Sequence, residues 1–276
     1  MRIFAIVVLL FAGFFSGVPA SGQDSSTCTV TGSTTTFPRG DVCWGQPDVY
    51  QLRIYEAGLC TSLPTSPTTS SSPGLSSCVT TFTSTAGSVV SVTPTGSSTL
   101  SGDFTRPENG TYSHGYIRMD ASFDIQASVD FGEAITGDAG GTGQYCATIT
   151  GSTSGGTSAS CSSVAPTAGT LQVPLTDFDG GAGFAASATA TSTTGSGTST
   201  IYAFLMTTAD QLAPAAASVQ RLFGFQNFGS SITITDATTG MDISFRVTTG
   251  MTLVPSAGPT LSIDSGPFVI DMTPLP

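Results

Sequence analysis

The stretch Ile117-Arg118-Met119-Asp120-Ala121-Ser122-Phe123-Asp124-Ile125-Gln126-Ala127-Ser128-Val129-Asp130-Phe131 alternates apolar and polar side chains without a break. Successive residues of a strand point to opposite faces, whereas a helix brings together positions three and four apart. A strict period of two therefore gives a helix no dry face. It gives a strand one dry face and one wet face. The pattern predicts one long strand, or two with a bend, lying on a core.

The same alternation extends outward. Tyr50, Leu52 and Ile54 alternate with Gln51, Arg53 and Tyr55, and Met241, Ile243, Phe245 and Val247 repeat the pattern. Shorter strands are expected at 27–31, 78–83, 88–93, 144–150, 171–175, 184–191, 200–206, 231–236 and 267–272. Ile201 to Met206 is apolar at nearly every position, which suits a central strand. The one helix expected is 210–222, with Pro214 in its first turn and Ala215 to Ala217 favouring it. Arg221 to Phe228 then returns the chain to the core. Charged residues are 9% of the chain, against the usual quarter, so Ser and Thr carry the surface polarity. Hydroxyl-rich, Lys-free composition suits strands and turns better than long helices. The expected fold is all-β, an antiparallel β-sandwich of jelly-roll or immunoglobulin-like type with at most one short helix.

The N-terminus places Arg2 before an apolar run from Ile3 to Phe15, then the small residues of Val18-Pro19-Ala20 and Ser21-Gly22. This is the layout of an export signal over residues 1–22, and the run is shorter than the roughly 20 residues that span a bilayer. No later stretch is long and apolar enough for a transmembrane helix. The remainder divides softly into 23–160 and 161–276, either two halves of one sandwich or two β domains, with the boundary near 154–170.

All six cysteines, Cys28, Cys43, Cys60, Cys78, Cys146 and Cys161, follow the signal. An even count in an exported chain implies three disulfides. Six cysteines allow 15 connectivities, and spacing favours Cys28–Cys43, Cys60–Cys78 and Cys146–Cys161. The last two enclose Ser/Thr/Gly/Pro-rich stretches with little means of ordering themselves. A metal site is disfavoured by the absence of Cys-x-x-Cys and by a single histidine.

Chemistry is sparse. His114 is the only histidine, and it is expected in a solvated turn of the loop-like segment 96–115, away from any triad. No Gly-x-Ser-x-Gly elbow occurs. Asp120 and Asp124 fall on the wet face of the long strand, about 13 Å apart at strand rise. That is too far for either glycosidase geometry. Asp177-Phe178-Asp179-Gly180 resembles the start of a calcium loop, so Asp177 and Asp179 are candidate ligands of calcium, the one cofactor to consider. Trp44 beside Cys43 is expected to pack in the core, with glycan stacking as its functional alternative. Asn109-Gly110-Thr111 matches a glycosylation sequon. Asp130-Phe131 before Gly132 resembles the strand ends of secreted pilin-like proteins over a few residues only, without their anchoring cysteine.

A net charge of −11, one unit more negative once Arg2 is removed, repels nucleic acid and anionic membranes. The expected function is a secreted, extracellular, periplasmic or cell-surface protein with a non-catalytic binding or assembly role. Its partners would be itself, other envelope proteins or a surface glycan. Two alternatives remain, a secreted polysaccharide hydrolase using a groove with paired carboxylates and aromatics such as Trp44 with Tyr50 or Tyr55, and an outer-membrane β-barrel. Exported protein, denatured and titrated with a thiol reagent, is expected to react only after reduction; six thiols without reductant would contradict the disulfide reading.

Overall fold

The structure, a computed structural model, describes residues 26–37, 41–94, 100–153, 157–178, 183–194, 197–255, 260–266 and 269–275. The expected signal, residues 1–22, and the calcium candidate Asp179 lie outside them.

Among the described residues the chain forms β1 (Ser26–Thr27), β2 (Val30–Thr31), β3 (Thr34–Thr35), β4 (Cys43–Gly45), β5 (Val49–Cys60), β6 (Cys78–Val92), β7 (Asp103–Phe104), β8 (Gly110–Asp120), β9 (Ser122–Gln126) and β10 (Ser128–Gly137). It continues through β11 (Thr142–Thr148), β12 (Ala159–Ser162), β13 (Leu171–Pro174), β14 (Ser187–Thr194), β15 (Gly197–Met206), β16 (Arg221–Ile234), β17 (Gly240–Arg246), β18 (Met251–Pro255), β19 (Thr260–Ser265) and β20 (Val269–Leu275). Sheet I runs β1-β4-β18-β19-β10-β11-β12, with β2 and β3 beside β10. Sheet II runs β13-β9-β5-β8-β16-β15-β14, with β6 and β7 on the other side of β5. A separate pair joins β17 to β20. The two large sheets pack face to face as a β-sandwich with mainly antiparallel pairing. Among the described residues both sheets end on strands with no further partner, so the architecture is a sandwich of two sheets and not one closed barrel. Strands from both sides of residue 160 interleave: β16 lies between β8 and β15, and β18 with β19 between β4 and β10.

The deciding stretch becomes three strands in line, β8, β9 and β10. Its apolar positions from Ile117 to Phe131 are all buried in the core between the sheets. β8 and β9 run along β5, and β10 belongs to sheet I. The bend falls at Ala127. Thr148, 2% exposed, holds it. The Ala127 N–H donates to Thr148 Oγ1 at 3.0 Å, and the Thr148 N–H donates to the Ala127 carbonyl at 3.0 Å. A buried bend leaves backbone groups that need partners, and one threonine supplies both.

Part of sheet II is buried on both faces. β15 sends Ile201, Ala203 and Leu205 into the main core, and Phe204 and Met206 into a second cluster with Tyr116, Phe223 and Phe225. The expectation of a central strand at Ile201–Met206 agrees with this two-sided burial. The return from Arg221 to Phe228 is itself strand, part of β16.

All three disulfides form the expected pairs. Cys60–Cys78 and Cys146–Cys161 bridge directly opposed residues of neighbouring antiparallel strands. The loop inside Cys60–Cys78 differs from expectation, because it orders itself. Thr65 and Gly74 exchange backbone hydrogen bonds at 3.1 and 3.0 Å, and Thr68 Oγ1 lies 2.6 Å from Ser71 Oγ. Its Leu75 packs on the outer aromatic cluster.

The helix expected at 210–222 is corrected to a short 3₁₀ turn at Ala216–Ser218. Helix propensity loses here to tertiary hydrogen bonds. The Leu212 N–H donates to the Thr68 carbonyl at 2.9 Å, and the Ala213 N–H to the Leu205 carbonyl at 2.8 Å. These bonds extend the segment across the sheet. The segment 96–115 is likewise not all loop, since β7 and the start of β8 fall in it.

Replacing Ile125 by Ala should lower unfolding free energy by about 2–5 kcal/mol, the cost of a cavity in a close-packed core. Ser122→Ala, on the opposite face, should change it by less than about 0.5 kcal/mol. Urea unfolding followed by circular dichroism checks both.

Candidate functional site

The outer face of sheet II carries an open cleft of about 290 Å³ beside the aromatic cluster. It begins with a bulge. Along β5 the inward positions run Tyr50, Leu52, Ile54, then Ala57 and Leu59. The step from 54 to 57 is three residues rather than two. Ile54 pairs with Met119 and Glu56 with Arg118, so Tyr55 is extra to the ladder. Bulges re-aim side chains in this way. Here Tyr55 and Glu56, neighbours in sequence, both line the cleft.

The facing strand β6 is irregular at the same place. Its register against β5 passes from Thr83 opposite Glu56 to Ser88 opposite Ile54. Gly87 takes φ +75°, where a side chain is strained, and a Cβ there would lie 2.6 Å from the Arg53 stem. Arg53 Nη1 donates to the Ala86 carbonyl at 3.2 Å. At Gly58, on β5, a side chain would overlap the Tyr116 ring.

Three arginines and three carboxylates meet on this face. Arg118 Nη1 lies 2.8 Å from Glu56 Oε2, and its Nε lies 3.3 Å from Asp210 Oδ1. Asp120 takes Arg221 Nη1 on Oδ1 at 2.7 Å and Arg53 Nε on Oδ2 at 3.3 Å. Tyr55 Oη also donates to Asp120 Oδ1, at 2.9 Å. The Arg221 guanidinium stacks 3.9 Å over the Tyr55 ring. Tyr116 Oη donates to Glu56 Oε1 at 2.6 Å, with Thr80 Oγ1 2.7 Å from the phenol oxygen. Burial, then the bond to Glu56, pushes the Tyr116 phenol far up. Burial, then the bond to Asp120, raises that of Tyr55. Both remain hydrogen-bond donors throughout the ordinary pH range.

Asp210 reaches Arg118 from the turn 207–211, closed by a 2.8 Å hydrogen bond from the Thr207 N–H to the Gln211 carbonyl. Its φ of +57° is the one positive value at a non-glycine residue among those described. Aspartate is among the few residues that tolerate this region, and such outliers gather at functional sites. Thr83, Ser84, Thr85 and Thr208 complete the cleft wall. Each charge has its counter-charge, so the cleft offers paired donors and acceptors but little net field.

The residues singled out from sequence are scattered around this cleft. Asp120 and Asp124 do share the wet face, and Asp120 is the hub of the network. Trp44 lies in β4 of sheet I, half-buried, and Tyr50 is fully buried in the main core. The structure therefore does not bring Trp44 together with Tyr50 or Tyr55 in one groove. His114 is corrected from a turn to the middle of β8, opposite Cys60 and Asn227. Burial lowers its imidazole. Ser113 Oγ lies 2.8 Å from its Nδ1, and among the described residues no carboxylate is hydrogen-bonded to it. Asp177 Oδ1 accepts the Ala185 N–H at 2.7 Å, within its own loop. Asn109 of the sequon accepts from Arg106 Nη2 at 2.7 Å and donates to Asp236 Oδ1 at 2.6 Å. The cleft itself escaped the sequence reading. Its one visible signal was the three-residue step between Ile54 and Ala57.

The fold and site thus define a disulfide-braced β-sandwich with a charge-balanced cleft on one outer face. The chain matches no known protein family, no characterised protein and no solved structure.

Asp124 offers a test of the site's electrostatics. Burial raises its carboxyl above the usual range, against the pull of Arg53. A raised folded value means a contribution that is intact below the unfolded value and lost as pH rises through the folded one. Asp124→Asn should therefore raise the unfolding midpoint near pH 7 and leave it unchanged near pH 3, below the ordinary aspartate value. Thermal melts at the two pH values check this.

Proposed function

We propose that this is an exported, non-catalytic binding protein that takes a neutral, hydroxyl-rich glycan in the cleft of sheet II. The observation that carries the reading is the balance of the cleft. A lone ion gains little where every guanidinium faces a carboxylate. A polyol gains more, because its hydroxyls donate to Glu56 and Asp210 and accept from Arg118 and Arg221. Hydrogen bonds to charged groups are the stronger kind, contributing about 1.5–3 kcal/mol each. The side chains are already held by their partners, so ordering them on binding costs little. Arg118 spends Nη1 and Nε on carboxylates, and Arg221 spends Nη1; both residues line the cleft and carry further N–H donors for a ligand. Three disulfides support a life outside reducing compartments. Among the described residues no helix is long and apolar enough to cross a membrane.

A second reading has its own support. Glu56 and Asp210 share the Arg118 guanidinium inside one cleft, and paired carboxylates are what a polysaccharide hydrolase needs. The two readings separate in one experiment. The mature protein is titrated by calorimetry with neutral and with uronate-bearing oligosaccharides, and the mixtures are assayed for new reducing ends. Binding of a neutral oligosaccharide without new reducing ends is expected. Arg118→Gln should weaken it about tenfold to hundredfold, the equivalent of one charged hydrogen bond, with circular dichroism unchanged. New reducing ends, lost in Glu56→Gln, would move the assignment to the hydrolase. Absence of binding by any neutral glycan would overturn the proposal.

A further inference from the structure

The last strand of sheet II, β14, pairs with β15 without a register break, from Ser187 opposite Phe204 to Thr194 opposite Gly197. Among the described residues no strand pairs with its other side. An open edge presents unpaired N–H and C=O groups, and proteins usually blunt such edges with charge, proline, bulges or brevity. β14 has none of these over eight residues. The other outer strands do. β12 and β13 have four residues each, and β13 ends on Pro174. β6 carries β7 across Phe82 and Thr83 and is broken in register. β17 contains Asp242 and Arg246, and β20 contains Asp271 and Pro274.

We infer that β14 is a self-association edge, where a second copy of this chain adds its own β14 antiparallel and extends sheet II across the pair. Charge selects the partner. The chain carries a net −11, so two copies repel over most orientations. Yet no charged residue occurs from Gly180 to Ala209, and β14 lies inside that stretch. Asp177 approaches the start of the strand, where it accepts the Ala185 N–H, but the eight residues of β14 carry no carboxylate to oppose those of a second copy. A two-fold axis also matches the side chains. Antiparallel partners oppose residues of the same face. Exposed Ser187, Thr189 and Thr191 would then meet the partner's hydroxyls, while Ala188 and Ala190 meet alanines. The contact closes at two copies, because an isologous interface uses the same patch on both.

Sedimentation of the purified mature protein across the micromolar range tests this. The wild type should pass from monomer to dimer with concentration. Thr189→Glu combined with Thr191→Glu places like charges on opposed strands and should raise the dimer dissociation constant about tenfold or more, with partial recovery in high salt. Thr189→Val adds no charge and keeps the strand preference, so it should leave the dimer in place. Circular dichroism and melting confirm that each variant is folded. A wild type that stays monomeric, or a double-Glu variant that dimerises as well as the wild type, would overturn the inference.

Discussion

Two hydrogen bonds at Ala127 join the halves of the sandwich. From Val49 to Gln126 the strands belong to sheet II, and from Ser128 to Ser162 they belong to sheet I. A strand cannot change sheets in a dry core without stranding an N–H and a C=O, and a buried unpaired backbone group costs about as much as a lost hydrogen bond. Thr148 removes that cost from within β11, and its hydroxyl passes on to the Gly169 carbonyl at 2.6 Å. The bend, the strand next to it and the approach to β13 are thereby fixed together. Because the inward side chains continue in phase through the bend, Phe123, Ile125, Val129 and Phe131 belong to a single core.

That phase is why the sandwich was legible in the sequence. Period-two burial is local information, carried by each residue and its neighbours. The disulfides were legible for a related reason, since short separations made neighbour pairing the economical closure of each loop. The helix expected at 210–222 failed because Ala-rich propensity is a weak prior, while the Thr68 and Leu205 carbonyls that extend the segment are distant in sequence. His114 was misplaced in the same way, as glycines and serines around it looked like a turn and proved to be strand under the Cys60–Cys78 loop.

The cleft was the least legible part. Asp120 could be assigned to a wet face, but its partners Arg53 and Arg221 lie 67 residues upstream and 101 residues downstream in the chain. Their meeting depends on the register of β5, β8 and β16, which no local pattern encodes. The bulge at Tyr55 was readable in principle from the step between Ile54 and Ala57, although its consequence was not. An extra residue puts a phenol and a carboxylate side by side where alternation would have buried one. Partly exposed ion pairs of this kind add little to stability, so concentrating three of the chain's seven arginines here makes better sense as the construction of a surface than as reinforcement of a fold.

The cleft and the β14 edge lie on one sheet. β15 and β16 separate β14 from β8, so an added strand would leave the cleft uncovered. The two-fold axes of antiparallel pairing stand perpendicular to the sheet, which keeps outer face with outer face. A pair joined at β14 would therefore carry two clefts on the same side. Single glycan contacts through a few hydrogen bonds are weak. Two of them on a rigid shared sheet turn the second contact into an intramolecular event, which raises affinity for a repeating surface without any new contact. Affinity for an isolated oligosaccharide would remain that of one cleft. The edge would thus set how strongly the protein holds a glycan-coated surface, and the cleft would set which glycan it holds.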